Sequence, residues 1–285
     1  MNYRHHYHAG NFADAFKHAF LVALVRHLQA KPKGLLLLDT HAGRGEYDLA
    51  AAGQGDSRPR EPEHPRGIGR ILSGLAALGA DVPPALAEYA ALIRAFSPSL
   101  DRYPGSPRLL QLLARPEDRI FLCELQPEEF ETLRVVMGRR PQLSVQAMDG
   151  YAALKSALPP PERRALVLID PPFEDLAEWQ RLRDALAEAL RRFPSGTYAL
   201  WHPVTARADA DRFWDDLAAR PGPPTWAARL VVDPRADGLR GCGLIVLNPP
   251  WAFGNEAHRL LAALGKLLSP NGLGETPQRW LRPEA

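Results

Sequence analysis

Short, almost continuously hydrophobic runs recur along the chain from about residue 35 onward, and stretches with helical periodicity separate most of them. A strand that is apolar along its whole length is typical of a sheet that helices cover on both faces. The pattern therefore predicts an α/β fold, a doubly wound domain around a seven-stranded, mostly parallel sheet. The seven predicted strands cover residues 35–39, 120–124, 143–148, 165–170, 197–201, 228–232 and 243–248.

The last two predicted strands are joined by residues 233–242 alone. This connection is too short for a helical crossover, so it should form an antiparallel hairpin. We therefore expect the last strand to run against the others.

Helical spacing of apolar residues between Phe12 and Leu24 predicts a helix before the first strand, with Asn11 as its N-cap and Pro32 beyond its end. About eighty residues then separate the first two strands, far more than one crossover helix needs. Two amphipathic helices are predicted there, one over residues 68–75 and one beginning at Pro84. We expect a single domain over residues 1–285 that contains a helical insertion over residues 48–102.

The composition, 46% hydrophobic and 24% charged residues, is that of an ordinary soluble protein. No apolar run reaches the ~20 residues of a membrane span, and the N-terminus lacks a secretory signal pattern, so we expect a cytoplasmic protein without a membrane partner. The net charge of +2 is only mildly basic, so a nucleic acid would have to bind to a local patch. Cys123 and Cys242 lie in apolar runs and are interpreted as buried thiols. No long exposed apolar face calls for a dimer, so we expect a monomer.

Polar and glycine residues follow the first three predicted strands. The segment from Asp39 to Gly45 contains two glycines, and small residues after a strand let the backbone approach a ligand. Glu124 ends the second strand, where an acid can accept hydrogen bonds from ribose hydroxyls, and Asp149-Gly150 follows the third, where an acid suits an adenine amino group. Each feature alone could be an ordinary turn or a solvated carboxylate. Together they favour a nucleoside site.

The fourth strand leads into Asp170-Pro171-Pro172-Phe173. Two prolines fix a rigid turn without backbone donors, so it can only accept hydrogen bonds. Acceptors on both N–H bonds of a conjugated amino group localise the nitrogen lone pair for attack on a sulfonium methyl group. Phe173 offers a face on which a flipped-out base can stack. A structural Pro-Pro turn with a buried Phe is the alternative.

A second motif of the same type, Asn248-Pro249-Pro250-Trp251, follows the last strand. Because that strand should be antiparallel, its end should lie at the opposite edge of the sheet. We therefore interpret Trp251 as a packing residue.

The N-terminal segment from Tyr3 to Asn11 is rich in His and Tyr. Metal binding is an alternative, but no Cys accompanies the histidines and no His-x-x-x-His pair suits a zinc site, so no metal is expected. Farther along, Tyr103 to Pro107 should begin a helix, with Ser106 as its cap and Pro107 at the first position.

In these segments the chain resembles the RlmJ family of bacterial 23S ribosomal RNA adenine-N6 methyltransferases. The resemblance runs in order along nearly the whole chain, and the residues that carry it are 3–5, 8–11, 17–18, 38–43, 103–107, 149–150, 169–172, 199–201 and 248–251. It implies a Rossmann-like S-adenosylmethionine-dependent methyltransferase fold with a small helical insertion between strands one and two.

The same resemblance implies roles for individual residues. Asp170, Pro171 and Phe173 would be catalytic, and Tyr3, Arg4, His5 and Phe173 would contact the RNA. The residues implied to contact S-adenosylmethionine are His18, His41, Ser106, Glu124, Asp149, Gly150 and Asp170. Phe173 stands where Tyr is common in the family, which keeps the stacking face and removes a hydroxyl. Arg4, Arg58, Arg60, Arg66 and Arg70 are candidates for phosphate contacts.

Three alternatives stay open from the residues alone. The acceptor-lined turn would serve a DNA adenine or a protein glutamine amide equally well. A non-catalytic RNA-binding protein with a vestigial cofactor pocket is the third alternative.

Overall fold

The computed structural model describes residues 7–51, 61–175, 177–205, 210–269 and 272–283. The strands are β1 (Leu36–Asp39), β2 (Glu46–Asp48), β3 (Arg102–Pro104), β4 (Arg119–Glu124), β5 (Leu143–Ala147), β6 (Ala165–Ile169), β7 (Thr197–Val204), β8 (Thr225–Val231), β9 (Gly241–Leu247) and β10 (Gln278–Arg282). The α-helices are α1 (Phe12–Gln29), α2 (Ile68–Gly74), α3 (Pro84–Phe96), α4 (Ser106–Leu113), α5 (Pro127–Met137), α6 (Gly150–Ala157), α7 (Glu178–Arg192), α8 (Ala210–Ala219) and α9 (Phe253–Leu268).

Eight strands form the main sheet, in the order β10-β8-β9-β7-β6-β1-β4-β5. The five strands from β7 to β5 are parallel, which confirms the doubly wound α/β class. β9 lies antiparallel between β7 and β8, as the short connection predicted. The predicted number of seven strands was wrong by one, because β10 pairs with β8 at the edge of the sheet. Only Leu281 of β10 is buried, so no apolar run marks this strand in the sequence.

Helices cover both faces of the sheet, and the leucines around β1 show why its sequence is apolar throughout. Leu35 and Leu37 belong to a core formed with helices that include α1, α4 and α9. Leu36 and Leu38 point the other way, into a core formed with α6, α7 and α8. All four leucines are therefore buried, because successive side chains of a strand alternate between its faces.

The chain between β1 and β4 contains the two predicted helices, α2 and α3, which pack against α9 and α1 respectively. It also contains β2 and β3, which pair antiparallel in a separate two-stranded sheet. Each of these strands has three residues, too few to recognise from periodicity. The insertion limits of 48–102 remain a prediction, and residues 52–60 lie outside the described part of the chain.

Asn11 is the N-cap of α1, as predicted, since its side-chain oxygen accepts from the backbone N–H groups of Ala13 and Asp14 at 2.9 and 3.0 Å. None of the helices in the described residues combines the length and the apolar character that crossing a membrane requires. Within the same ranges, no three or more His, Cys, Asp or Glu side chains are grouped so that they could bind a metal ion.

Candidate active site

Four carboxylates follow neighbouring parallel strands and therefore share one edge of the sheet. β1 pairs with both β4 and β6, which places Asp39 between Glu124 and Asp170. Asp149 follows β5 at the outer side, and its carboxylate caps α6 by accepting from the N–H groups of Tyr151 and Ala152 at 2.7 and 2.9 Å. In chain order, β4 and β5 lie on one side of β1, whereas β6 lies on its other side. Open α/β sheets bind ligands at such a reversal of strand order, which here lies between β1 and β6.

Glu124 holds the glycine turn that follows β1. One of its oxygens accepts from the Gly43 N–H at 2.8 Å, and the other accepts from the Gln126 N–H at 2.8 Å. Gly43 has a φ of +61°, a conformation that favours glycine. Burial raises the pKa of Glu124, while its backbone hydrogen bonds act in the opposite direction.

Gly150 brings α6 against the loop after β1. A Cβ atom at this position would lie 2.1 Å from the carbonyl oxygen of Thr40, so only glycine allows this approach. The neighbouring histidine, His41, is partly buried, and burial lowers its pKa. The Thr40 hydroxyl donates to the Leu168 carbonyl at 3.0 Å, so it accepts from His41 Nδ1 at 2.8 Å. Nδ1 of His41 therefore carries a hydrogen, and in the neutral form of the ring Nε2 would be the acceptor.

Ser106 is not the cap of α4 that the sequence predicted. The N-cap of α4 is Gly105, and Ser106 is the first helical residue and makes no side-chain cap. Its hydroxyl instead donates to Asp39 Oδ2 at 2.7 Å. The predicted cap was wrong because α4 begins one residue earlier than expected, so that Ser106 is already helical and its hydroxyl is oriented toward a buried carboxylate. Burial raises the pKa of Asp39 to about 6, and the Ser106 hydrogen bond lowers it in part.

Asp170 begins the two-proline turn and forms an ion pair with Lys17 of α1. Lys17 Nζ lies 2.6 Å from Asp170 Oδ2 and 3.1 Å from Asp14 Oδ1. Burial alone would lower the pKa of Lys17, but the carboxylates of Asp170 and Asp14 hold it well above its usual value. Lys17 was absent from the predicted site residues, although a lysine within the apolar stretch of α1 was a usable signal.

Phe173 ends the turn in a left-handed conformation, with a φ of +50°. Its half-buried ring lies 4.7 Å from the Trp179 ring and 6.2 Å from the Trp201 ring, measured between centroids. A bulky residue rarely takes this backbone conformation, so the aromatic contacts hold the turn in place.

His18 follows Lys17 on α1 and lies in a hydrogen-bonded chain of rings. Its Nδ1 lies 2.7 Å from the Tyr103 hydroxyl, and that hydroxyl lies 2.7 Å from the Tyr89 hydroxyl. All three side chains are buried. β3 and α3 thereby fix the orientation of His18.

The second two-proline motif lies at the opposite edge of the sheet, as predicted. The Asn248 side chain donates to the carbonyls of Pro194 and Gly196, which precede β7, at 2.7 and 2.9 Å. The interpretation of Trp251 as a packing residue was wrong, because its side chain is 87% exposed. The turn projects it away from the core, and nothing in the apolar pattern distinguishes that orientation.

The family model described as "Ribosomal RNA large subunit methyltransferase D, RlmJ" matches residues 32–282. The chain belongs to this family. Two relatives named "Ribosomal RNA large subunit methyltransferase J" align over the whole of both chains, one from Escherichia coli K12 at 37% identity and one from Haemophilus influenzae at 35%. A crystal structure from Legionella pneumophila superposes with a TM-score of 0.84 at 32% identity and covers 96% of this chain and 98% of its own.

Several residues predicted to contact the RNA or its phosphates lie outside the described part of the chain. These are Tyr3, Arg4, His5, Arg58 and Arg60. The other two phosphate candidates are described. Arg66 is mostly exposed and lies 3.6 Å from Glu61, whereas Arg70 donates to the Leu268 carbonyl at 3.2 Å.

Proposed function

We propose that this protein transfers a methyl group from S-adenosylmethionine to the N6 amino group of a specific adenine in 23S ribosomal RNA. Membership of the RlmJ family over residues 32–282 supports the reaction and the RNA substrate. The observation that carries the proposal is the position of Asp170, beside a turn without backbone donors and at the ligand-binding edge of the sheet.

The residues at this edge fit S-adenosylmethionine. The glycine turn and the close approach of Gly150 to Thr40 give the edge a backbone without bulky side chains. Glu124 would accept from the ribose hydroxyls, and Asp149 from the adenine amino group. His18, His41, Ser106 and Gly150 would complete the contacts, along with Asp170. The bound donor supplies a methyl group on a positively charged sulfur, which neighbouring carboxylates favour.

Asp170 and the Pro171 carbonyl act on the target adenine. Asp170 Oδ2 holds the Lys17 ammonium, so we assign Oδ1 as the acceptor of one N6–H bond. The Pro171 carbonyl would accept the other N6–H bond. Two acceptors localise the nitrogen lone pair and aim it at the methyl carbon. The N–C bond would form as the bond from that carbon to sulfur breaks, and the nitrogen would then release one proton toward Asp170 Oδ1, which already accepts from it. Catalysis would therefore consist mainly of positioning and electrostatic stabilisation.

The adenine must leave its stack to reach this turn. Phe173 would stack on the extruded base, an interaction that contributes roughly 1–3 kcal/mol. Tyr3, Arg4 and His5 would contact the RNA nearby, and exposed arginines such as Arg66 would bind phosphates.

Transfer of radiolabel from S-adenosylmethionine tests the proposal. Deproteinised 23S rRNA, duplex DNA and a release-factor protein are offered separately to wild type and to Asp170→Asn. We expect label on the rRNA alone, and an Asp170→Asn rate at least about 100-fold lower, the scale of losing one preorganised group. Asp175→Asn is the matched control, because Asp175 is an exposed carboxylate just beyond the same turn, and its partners among the described residues are the start of α7 and Arg181.

Label on DNA or on protein would change the substrate class. Normal turnover by Asp170→Asn would contradict the role of the carboxylate. If calorimetry detected binding of neither S-adenosylmethionine nor its demethylated product, a non-catalytic RNA-binding role would replace the enzyme.

A further inference from the structure

A second carboxylate, Asp14, is buried beside the Lys17–Asp170 pair. It lies in the first turn of α1 and is 5% exposed. Its Oδ1 lies 3.1 Å from Lys17 Nζ, and its Oδ2 accepts from the backbone N–H of Gly10 at 3.0 Å. Asp14 therefore connects the loop before α1 to the lysine that contacts Asp170.

We propose that Asp14 is a positioning residue for methyl transfer: it fixes the Lys17 ammonium against Asp170 and connects this contact to the loop formed by residues 7–11. The inference rests on the proposed function, because it concerns the same carboxylate at the two-proline turn. The two oxygens of Asp14 accept from Lys17 and from the Gly10 N–H, so we assign Asp14 an effect on Asp170 through Lys17.

The chemistry of both contacts requires a carboxylate at position 14. Gly10 N–H and the Lys17 ammonium are donors, and an ionised carboxylate accepts at both oxygens. An asparagine has one acceptor and one donor end. Whichever way the amide turned, its NH₂ group would face a donor, so Asp14→Asn must break one of the two contacts.

The loop formed by residues 7–11 is also held by residues of the helical insertion, Glu63 and Gly67. Glu63 Oε2 accepts from Asn11 Nδ2 at 2.9 Å and lies 2.9 Å from His8 Nδ1. A side chain at Gly67 would lie 2.1 Å from the Gly10 carbonyl oxygen, so the two backbones are in close contact. Asp14 thus bonds to a loop that is already held, which makes it a rigid reference point for Lys17.

Lys17 needs such a reference because its side chain has four rotatable bonds and carries a charge inside the protein. The contact with Asp170 alone fixes only the distance between Lys17 Nζ and one carboxylate oxygen. Asp14, three residues earlier on the same helix, restrains the ammonium from a second direction. Without Asp14, Lys17 keeps Asp170 as an ion-pair partner, but the ammonium group no longer has a fixed position. The Asp170 carboxylate can then rotate together with the ammonium group.

Nitrogen NMR of the lysine ammonium groups tests this directly. The chain has five lysines, and the four others, Lys31, Lys33, Lys155 and Lys266, are exposed. In ¹⁵N-lysine protein we expect one slowly exchanging ammonium signal, from Lys17, in wild type and in Asp170→Asn, where Asp14 still holds it. In Asp14→Asn the signal should broaden or disappear. Loss of the signal in Asp170→Asn with retention in Asp14→Asn would overturn the inference.

Kinetics give the second readout. Asp14→Asn should lower kcat for 23S rRNA by roughly 10- to 100-fold, as misplacement of a catalytic group does, with KM for the RNA little changed. Asp118→Asn is the matched control, since Asp118 is equally buried and accepts several hydrogen bonds, but precedes β4 at the far edge of the sheet. It should lose stability and keep kcat.

A double-mutant comparison separates positioning from general destabilisation. In single-turnover assays, Asp14→Asn should add little to the loss already caused by Lys17→Met, because both act through the same ammonium. Independent, multiplying losses would overturn the inference. If wild type methylates no RNA, the proposed function fails, whereas the NMR signal still reports whether Asp14 holds Lys17.

Discussion

Replacement of Gly150 by alanine should disturb the cofactor edge through one close contact. The added Cβ would lie 2.1 Å from the Thr40 carbonyl oxygen and 2.8 Å from both the Thr40 carbonyl carbon and its Cβ, whereas real Cβ contacts are essentially never under 3.0 Å. Because the closest atom belongs to the backbone, no side chain can rotate away. The loop after β1 and the start of α6 must separate by about 1 Å.

The energetic cost follows from this overlap. Overpacking of a tight contact costs about 1–3 kcal/mol. Alanine recovers about 0.4–1 kcal/mol because it restricts the unfolded chain. The midpoints of these ranges give a net loss of about 1.3 kcal/mol, which corresponds to a decrease in Tm of about 3–5 °C for a domain of this size. Separating Thr40 from α6 should also weaken binding of S-adenosylhomocysteine by about tenfold, since Asp149 and His41 move apart.

Scanning calorimetry and titration calorimetry measure these two effects. Gly238→Ala is the control, because a Cβ there meets nothing within 4 Å. It should change the free energy of unfolding by less than about 0.5 kcal/mol. A Gly150→Ala protein with the wild-type Tm and wild-type affinity for S-adenosylhomocysteine would refute the close-contact reasoning.

Two further substitutions have defined outcomes. Burial raises the pKa of Asp39 to about 6, so the stability that its protonated form contributes is fully present below pH ~4 and is lost as the pH rises through 6. The Tm of Asp39→Asn minus that of wild type should therefore increase between pH 5 and pH 7.5 in thermal melts, and a pH-independent difference would contradict the burial of an ionised Asp39. Phe173→Leu removes the stacking face and should weaken RNA binding by roughly 1–3 kcal/mol in fluorescence titrations, while binding of S-adenosylhomocysteine stays unchanged; equal weakening of both would mean that Phe173 mainly supports the turn through Trp179.

Much of the fold could be predicted because the buried strands carry the signal themselves. β6 is apolar at every position, and the connection between β8 and β9 is so short that these two strands can pair only in the antiparallel direction. β10 was missed for the opposite reason: at a sheet edge one buried residue, Leu281, is enough to hold a strand. Local periodicity cannot detect a strand that is defined by its partner.

The placement of Glu124 and Asp170 at one edge of the sheet was predictable, because each lies at or directly after the end of a buried parallel strand. The contacts that join distant segments were not predictable. Lys17 meets Asp170 across 153 positions of sequence, and Ser106 bonds to Asp39 across 67. A lysine in a helix is usually solvated, and a serine before a proline usually caps, so local rules favoured the wrong role.

If the Asp170 turn methylates an adenine of 23S rRNA, a map of N6-methyladenine in that RNA must depend on this gene and on Asp170. Ribosomal RNA would be compared from cells that carry the gene, cells that lack it, and deleted cells that express either wild type or Asp170→Asn. We expect one adenine to lose its methyl group on deletion and to regain it with wild type but not with Asp170→Asn. An unchanged methylation map after deletion, or full restoration by Asp170→Asn, would contradict the claim.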